Sequence, residues 1–353
     1  MNRGGAETMV MNHYRAMDRS KIQFDFLVHR QERGDYDDEI EKLGGRIFRA
    51  MPIRPWSYPV YFRWLNKFFR EHEGEFIAVH GHIQENSGFA LRFAKKNGIK
   101  NLVASSHIAD VGIDYKYVFR KFGKIWTNKY ATIRTACGKE AGKFLYGRRD
   151  FHLLNNAIDT SLYKFNPKIR KCKREEFGIP EKAFVIGNVA RFCPQKNHNF
   201  IIRIFAEVLK TKPAAILILI GEGPLKPAIK RLVRLYGAES NVIFAGLRSD
   251  VHEILQTFDV FLMPSLFEGL PVSVIEAQAA GLPCIISDTI DMETDITGKV
   301  QFLSLKTPIT TWAKTIIASP TDNRNCDMVS LKPYDVHENI NRLINYYFHN
   351  TNE

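Results

Sequence analysis

Short, unbroken apolar runs alternate along this chain with longer stretches in which apolar residues recur every third or fourth position. Val260-Phe261-Leu262-Met263 stops at Pro264, as a strand buried on both faces does where its carboxyl end meets a loop. Residues 272–280 are rich in helix formers, with Val272, Ile275, Glu276 and Ala279 sharing a face and Gly281 ending the run, and 283–287 returns to a strand pattern. Residues 184–189, 215–220 and 242–244 read as further strands, and 198–210 as a helix. In the first half the spacing predicts helices over 8–17, 35–43 and 87–97, and strands over 22–28, 76–80, 100–105 and 135–138. Strand and helix taking turns in this way predicts an α/β chain with two Rossmann-like domains. Ligands of such domains gather where strand ends meet helix N-termini.

A length of 353 residues suits two domains, each with its own core. After residue 288 the pattern weakens, with a helix over 312–317 and a last one carried by Val336, Ile340, Leu343, Ile344 and Tyr347. The five cysteines (137, 172, 193, 284 and 326) show no C-x-x-C pair and no zinc-like spacing, so a reducing cytoplasm is expected. No apolar run approaches the roughly 18 residues that span a bilayer, so the expectation is a soluble or peripheral protein.

Lys and Arg number 50 against 38 Asp and Glu, and the excess is uneven. Residues 51–150 hold 18 basic and 8 acidic side chains, whereas 251–353 hold 6 and 13. The basic half suits an anionic partner: a phospholipid surface, a polyprenyl diphosphate or a nucleic acid. The basic run 168–174 lacks an aromatic stacking platform or a recognition-helix pattern, so it reads as a solvated linker and helix, and nucleic acid is not expected. Between 115 and 133, Tyr115, Val118, Phe119, Phe122, Ile125, Trp126, Tyr130 and Ile133 recur at three and four, with Lys116, Arg120, Lys121, Lys124 and Lys129 elsewhere. Two readings stay open. The default is a stripe facing the core; the alternative is a helix lying on an anionic membrane.

The candidate chemistry clusters at predicted strand ends. Glu268 sits in the loop after 260–263 and Glu276 about two turns into the next helix, so both carboxylates can reach one crevice. Arg191 and Lys196 follow the strand 184–189, where a planar fork and a mobile point charge can together neutralise a diphosphate. Gly221-Glu222-Gly223-Pro224 and Gly246 close the next two strands, and Gly4-Gly5 precede the first helix, where glycine lets backbone amides approach a ligand. His80, His82 and His107 sit at strand ends, and His-x-His has no evident third metal ligand. Asp35-Tyr36-Asp37 is rejected as a metal-binding triplet, because its carboxylates fall in the first turn of a helix, where they meet its dipole.

Proline before the loop, Glu-Gly-Leu-Pro through it, and Glu-Ala followed by Ala-Gly-Leu-Pro resemble the donor-site signature of glycosyltransferase family 4 (group 1), retaining enzymes of the GT-B fold found in bacterial capsule and exopolysaccharide biosynthesis. The match extends to Arg191 and Lys196 at the diphosphate-binding element, to the G-x-G-P turn, to Ser-Ser-His at 105–107 with Asp110, and to Asn-Asn-Ala-Ile-Asp at 155–159, where the family commonly has N-G-I-D. The resemblance implies an N-terminal acceptor-side domain over 1–160, a nucleotide-sugar domain over 161–333, and a helix over 334–353 crossing back to the first. It places the active site in the cleft between the two domains. Arg191 and Lys196 would hold the diphosphate, Gly221 and Gly246 would line the nucleotide, and Glu276 would take its ribose. Glu268 would lie by the donor sugar, with Gly269, Leu270, Pro271 and Val272 offering amides to it. His107 would orient sugar and acceptor, and Gly4 and Gly5 would form the glycine-rich first loop.

The expected reaction moves a sugar, without metal or cofactor, from a UDP-sugar to a lipid-linked or saccharide acceptor, on a cytoplasmic protein that docks peripherally on the inner face of the cell membrane. The alternatives are a UDP-sugar epimerase on the same scaffold and a truncated, non-catalytic paralogue that binds a sugar nucleotide. The first strand that the family places before the glycine loop is missing here: translation starts further upstream, or the chain is shortened, or the N-terminal sheet lacks a central strand.

Overall fold

In a computed structural model, which describes residues 1–2, 4–108, 117–321 and 323–348, the chain divides into two compact units: Met1–Ile158 with Pro333–Glu353, and Asp159–Lys332. The first unit carries β1 (Phe26–Val28) and β2 (Ile47–Arg49), a parallel pair forming a sheet of their own. A second parallel sheet follows, β3 (Ala78–Gly81), β4 (Asn101–Ser106), β5 (Ile133–Ala136) and β6 (His152–Leu153), ordered β3-β4-β5-β6. Among the described residues no strand joins β1 to β3. Where the two sheets approach, Phe24 and His80 line a cavity of about 10 Å³ together with Met9, His13, Leu343 and Tyr347.

All six residues of β4 are buried, because helices cover both of its faces. On one side the helices Tyr58–Glu71 and Ser87–Lys96 supply Tyr61, Leu65, Phe68, Phe89 and Leu91 to a shared core. On the other, Val336, Ile340, Leu343 and Tyr347 of the helix Val336–Phe348 pack with Val103 and Ile133.

The second unit is one six-stranded parallel sheet: β7 (Val185–Val189), β8 (Ile216–Ile220), β9 (Val242–Gly246), β10 (Val260–Met263), β11 (Cys284–Ser287) and β12 (Val300–Leu303). Its order is β12-β11-β10-β7-β8-β9. Counted within the unit and read from β9, that is 3-2-1-4-5-6, the doubly wound arrangement whose order reverses between its first and fourth strands. Leu217, Leu219, Leu262, Ile285 and Trp312 belong to one continuous core. Gly187 in β7 has to be glycine, since a Cβ there would lie 1.8 Å from the ring of buried Phe258.

The strands expected at 184–189, 215–220, 260–263 and 283–287 appear within one residue of their ends. The stretch 22–28 shortens to β1, while Ile22 is buried ahead of it. One expectation is corrected. The helix Tyr117–Tyr130 turns Gly123, Thr127 and Asn128 inward and packs Trp126 and Tyr130 against the core, but leaves Val118 70% and Ile125 63% exposed, so only part of its apolar stripe faces the core. The cause is close backbone contact: a Cβ on Gly88 would lie 2.1 Å from the Thr127 amide, and one on Gly123 2.7 Å from the Glu85 carbonyl oxygen. Thr127 seals this seam, its hydroxyl donating to the Glu85 carbonyl at 2.7 Å and accepting from the Gly88 amide at 2.7 Å. Tyr115 and Lys116 lie outside the described residues, as does Asp110 of the pattern around His107.

Candidate active site

The reversal of strand order in the second unit sets two loops side by side, those leaving β7 and β10. The Leu266 amide donates to the Gln195 carbonyl at 2.8 Å, the Gln195 side chain to the Phe267 carbonyl at 3.0 Å, and the Asn197 side chain to the Pro264 carbonyl at 3.1 Å. Asn197 takes a left-handed φ of 53°, a conformation asparagine tolerates, and turns the chain into the helix His198–Thr211. Across this seam Lys196 forms an ion pair with Glu268. Arg191 stands exposed on the same loop.

The glycine turns after β8 and β9 complete the floor. Gly221 has φ 138° and donates to the Gly246 carbonyl at 2.8 Å; a Cβ on Gly221 would meet the Ala190 carbonyl oxygen at 2.2 Å. These glycines let the loop after β8 lie directly against the one carrying Arg191. Pro271 caps the helix Val272–Ala279, its carbonyl accepting from the Val274 amide at 3.0 Å, and follows the loop of Gly269 and Leu270. Glu276 lies on that helix, and burial pushes its carboxyl up to about 7, opposed by a hydrogen bond from the Tyr163 hydroxyl at 2.8 Å. The second unit therefore brings together Arg191, Lys196, Gly221, Gly246, Glu268, Gly269, Leu270, Pro271, Val272 and Glu276. It offers an exposed cation, a paired cation and a partly buried carboxyl on the loops and helix that follow the strands of one sheet.

In the first unit His80, at the end of β3, bonds Tyr347 through Nδ1 at 2.9 Å and Ser105 through Nε2 at 2.7 Å, and Ser105 meets Thr135 at 2.5 Å. His82 Nδ1 lies 3.1 Å from His107 Nε2, while His107 Nδ1 is buried without a partner. Burial depresses these imidazoles, His80 to about 3 and His107 to about 4, with His82 well below its ordinary value. They are neutral at physiological pH, able to exchange hydrogen bonds but carrying no charge. Gly4 is extended and Gly5 opens the helix Gly5–Ala16; a Cβ on Gly5 would meet nothing within 4 Å.

Two residues absent from the sequence-based candidates join these sites. Gln84 adopts φ 53° in the loop after β3, and with its amide suitably turned its oxygen accepts from the His107 amide at 2.9 Å and the Ile108 amide at 2.6 Å. A non-glycine residue beside the H-x-H segment gave no signal of that strain. Tyr163 is the other. Asp37 of the rejected triplet accepts from Arg49 at 2.6 Å and from the Gly34 amide at 3.0 Å. Among the described residues no group of three or more His, Cys, Asp or Glu side chains is arranged to hold a metal ion.

Residues 3–162 match the family described as Glycosyltransferase Family 4, and residues 169–319 that described as Glycosyl transferases group 1. EpsF of Bacillus subtilis (strain 168), which carries a glycosyltransferase name, is 40% identical over 365 residues, covering 98% of this chain and 94% of that protein. The UDP-Gal:alpha-D-GlcNAc-diphosphoundecaprenol alpha-1,3-galactosyltransferase of Escherichia coli is 33% identical over 141 residues, 38% of this chain and 36% of that enzyme. Among solved structures, Anabaena Alr3699/HepE in complex with UDP superposes with a TM-score of 0.79 at 18% identity, over 97% of this chain and 95% of that one. The chain belongs to glycosyltransferase family 4, group 1, and is a glycosyltransferase of the GT-B fold.

Proposed function

We propose that this glycosyltransferase retains anomeric configuration, takes its sugar from a UDP-sugar and passes it to a lipid-linked glycan during assembly of a capsular or exopolysaccharide. The observation that carries the reading is the Lys196–Glu268 pair joining the two loops at the strand-order reversal of the second unit, with Arg191 exposed on the first loop and Glu276 on the helix that follows the second. UDP in the HepE complex and the diphosphoundecaprenol acceptor named for the Escherichia coli relative support the choice of donor and acceptor.

The bond between the anomeric carbon and the diphosphate oxygen breaks as a new bond forms to the acceptor oxygen, on the same face of the sugar. The acceptor proton passes to the departing diphosphate. Negative charge grows on that diphosphate, and Arg191 together with Lys196, the latter already oriented by Glu268, stabilises it without a metal ion. Glu268 shares Lys196 until the diphosphate arrives and then lies by the sugar, where the amides of Gly269 to Val272 meet its hydroxyls. Glu276 accepts from the ribose diol. In the first unit His107, neutral at physiological pH, exchanges hydrogen bonds with the acceptor.

The polyprenyl acceptor places the protein at the cytoplasmic face of a membrane. The outward stripe of Val118, Phe119, Phe122 and Ile125, flanked by Arg120, Lys121 and Lys124, has the composition of an interfacial helix, and no helix among the described residues is long and apolar enough to cross a bilayer. Calorimetric titration with UDP and GDP tests the donor. UDP should bind in preference to GDP, and Glu276→Gln should weaken it; equal binding of both nucleotides, or none, would remove the UDP assignment. Sedimentation with vesicles containing phosphatidylglycerol should rise with anionic lipid and fall with salt, and indifference to both would remove the membrane assignment.

A further inference from the structure

We infer that Tyr163 is a positioning residue of the donor site, holding the Glu276 carboxylate in the orientation that receives the ribose diol of the nucleotide. The inference rests on the donor-site reading above and adds to it a residue 113 positions away in sequence.

Tyr163 closes the short helix Thr160–Tyr163, where the chain enters the second unit, and is 9% exposed. Its backbone is pinned by Gln256, a fully buried side chain whose amide donates to the Tyr163 carbonyl at 3.1 Å and to the His252 carbonyl at 3.0 Å, while its oxygen accepts from the Asn166 amide at 3.2 Å. The tyrosine ring lies edge-on to His252, with centroids 6.2 Å apart. Backbone and ring are thus fixed independently of Glu276. The hydroxyl then reaches Glu276 Oε1 at 2.8 Å from a rigid base.

The chemistry of this partner matters. A buried carboxylate can be oriented by a cation or by a neutral donor, and a cation would form a pair that competes with any ligand. Among the described residues no Lys or Arg forms a salt bridge with Glu276, so the phenol orients the group while leaving its charge for the ligand. Tyr163 occupies one direction on Oε1, and the other oxygen remains for the two hydroxyl donors of a ribose. The same bond works against the burial that raises the carboxyl, so losing it favours the protonated acid, a poorer acceptor.

The test is calorimetry on the full chain with UDP and with 2′,3′-dideoxy-UDP, for the parent protein, Tyr163→Phe, Glu276→Gln and the double variant. Tyr163→Phe should weaken UDP about ten-fold, the scale of one hydrogen bond to a charged group, and leave the dideoxy nucleotide unchanged. In the Glu276→Gln background the same change should have no further effect on UDP. Unchanged UDP affinity in Tyr163→Phe, with Glu276→Gln still impaired, would overturn the role of Tyr163 alone. Equal loss for both nucleotides would make Tyr163 a merely structural residue. Unchanged UDP affinity in Glu276→Gln would overturn the ribose reading, and the positioning role with it.

Discussion

The two units are built from the same parallel strand-and-helix pattern yet differ in what they bury. The second fills its interior with Leu217, Leu219, Phe261, Leu262 and Trp312 and buries polar side chains singly among them, as at Asn188, His198 and Gln256. The first runs a polar chain through its middle, Thr135 to Ser105 to His80 to Tyr347, with His82 and His107 beside it and His13 on the neighbouring helix. Its strands fall into a pair and a quartet, and the histidines lie beside the break. A continuous apolar sheet tolerates a charged site at its rim. A divided sheet gathers several depressed imidazoles beside its break, whereas the second unit has His198 depressed in the same way, so acid should loosen the first unit more than the second.

That separation is the largest effect expected. His13, His80 and His107 fall from 6.5 to about 4, 3 and 4, and His82 moves in the same direction, all through burial. A folded value below the unfolded one means that the unfolded chain binds protons first. The stability is therefore complete above about pH 6.5 and drains as pH falls towards 4, by on the order of 1 kcal/mol per pH unit for each histidine. Glu276 has the opposite sign: raised from 4.5 to about 7, its contribution is present below 4.5 and is lost as pH rises through 7. Hydrogen exchange at pH 7.5 and pH 5 should show β3, β4 and the helix Val336–Phe348 losing more protection on acidification than β7, β8 and β10 of the second unit, where His198 is depressed in the same way. Equal loss in both units would end the contrast.

The reverse perturbation targets the second unit. Gly187→Ala drives a Cβ into three ring atoms of Phe258, at 1.8 to 2.3 Å, in a sheet with no slack, and should cost about 3 kcal/mol. Urea unfolding followed by exchange should place that loss in β7 and its neighbours, with β4 unaffected. A cost spread evenly over both units would show that they unfold as one.

The contrast also explains what could be read from the chain beforehand. In the second unit β8, β9 and β10 are apolar runs that end at Gly221, Gly246 and Pro264, so residues 260–263 mark a strand by composition alone. β2 and β12 escaped notice because they are short and only partly buried, and neither Ile-Phe-Arg nor Val-Gln-Phe-Leu stands out against a loop. The helix Tyr117–Tyr130 divides its stripe, Trp126 and Tyr130 packing on the core and Val118 and Ile125 facing out, because spacing reports which residues share a face and not how much of it the fold covers. There a Gly88–Thr127 approach outweighed the burial of Val118 and Ile125. The cations and carboxylates of the donor loops were legible from their residue types at strand ends. Tyr163 was not, because a phenol differs from phenylalanine by one hydroxyl whose partner lies 113 residues away.

The smallest effect expected separates glycines that the fold requires from glycines that a ligand would require. Gly221 cannot accept a side chain, since its φ is 138° and a Cβ would strike the Ala190 carbonyl oxygen, so Gly221→Ala should lower stability and nucleotide affinity together. Gly5 is different: it opens a helix and a Cβ there meets nothing within 4 Å. Alanine also favours a helix over glycine, so Gly5→Ala should leave stability unchanged or raise it by up to ~1 kcal/mol. Whatever that substitution does to UDP-sugar turnover is then free of any folding cost. A raised melting temperature with a higher KM for the donor would show the first-unit loop meeting the nucleotide sugar. A raised melting temperature with unchanged kinetics would confine donor recognition to the second unit.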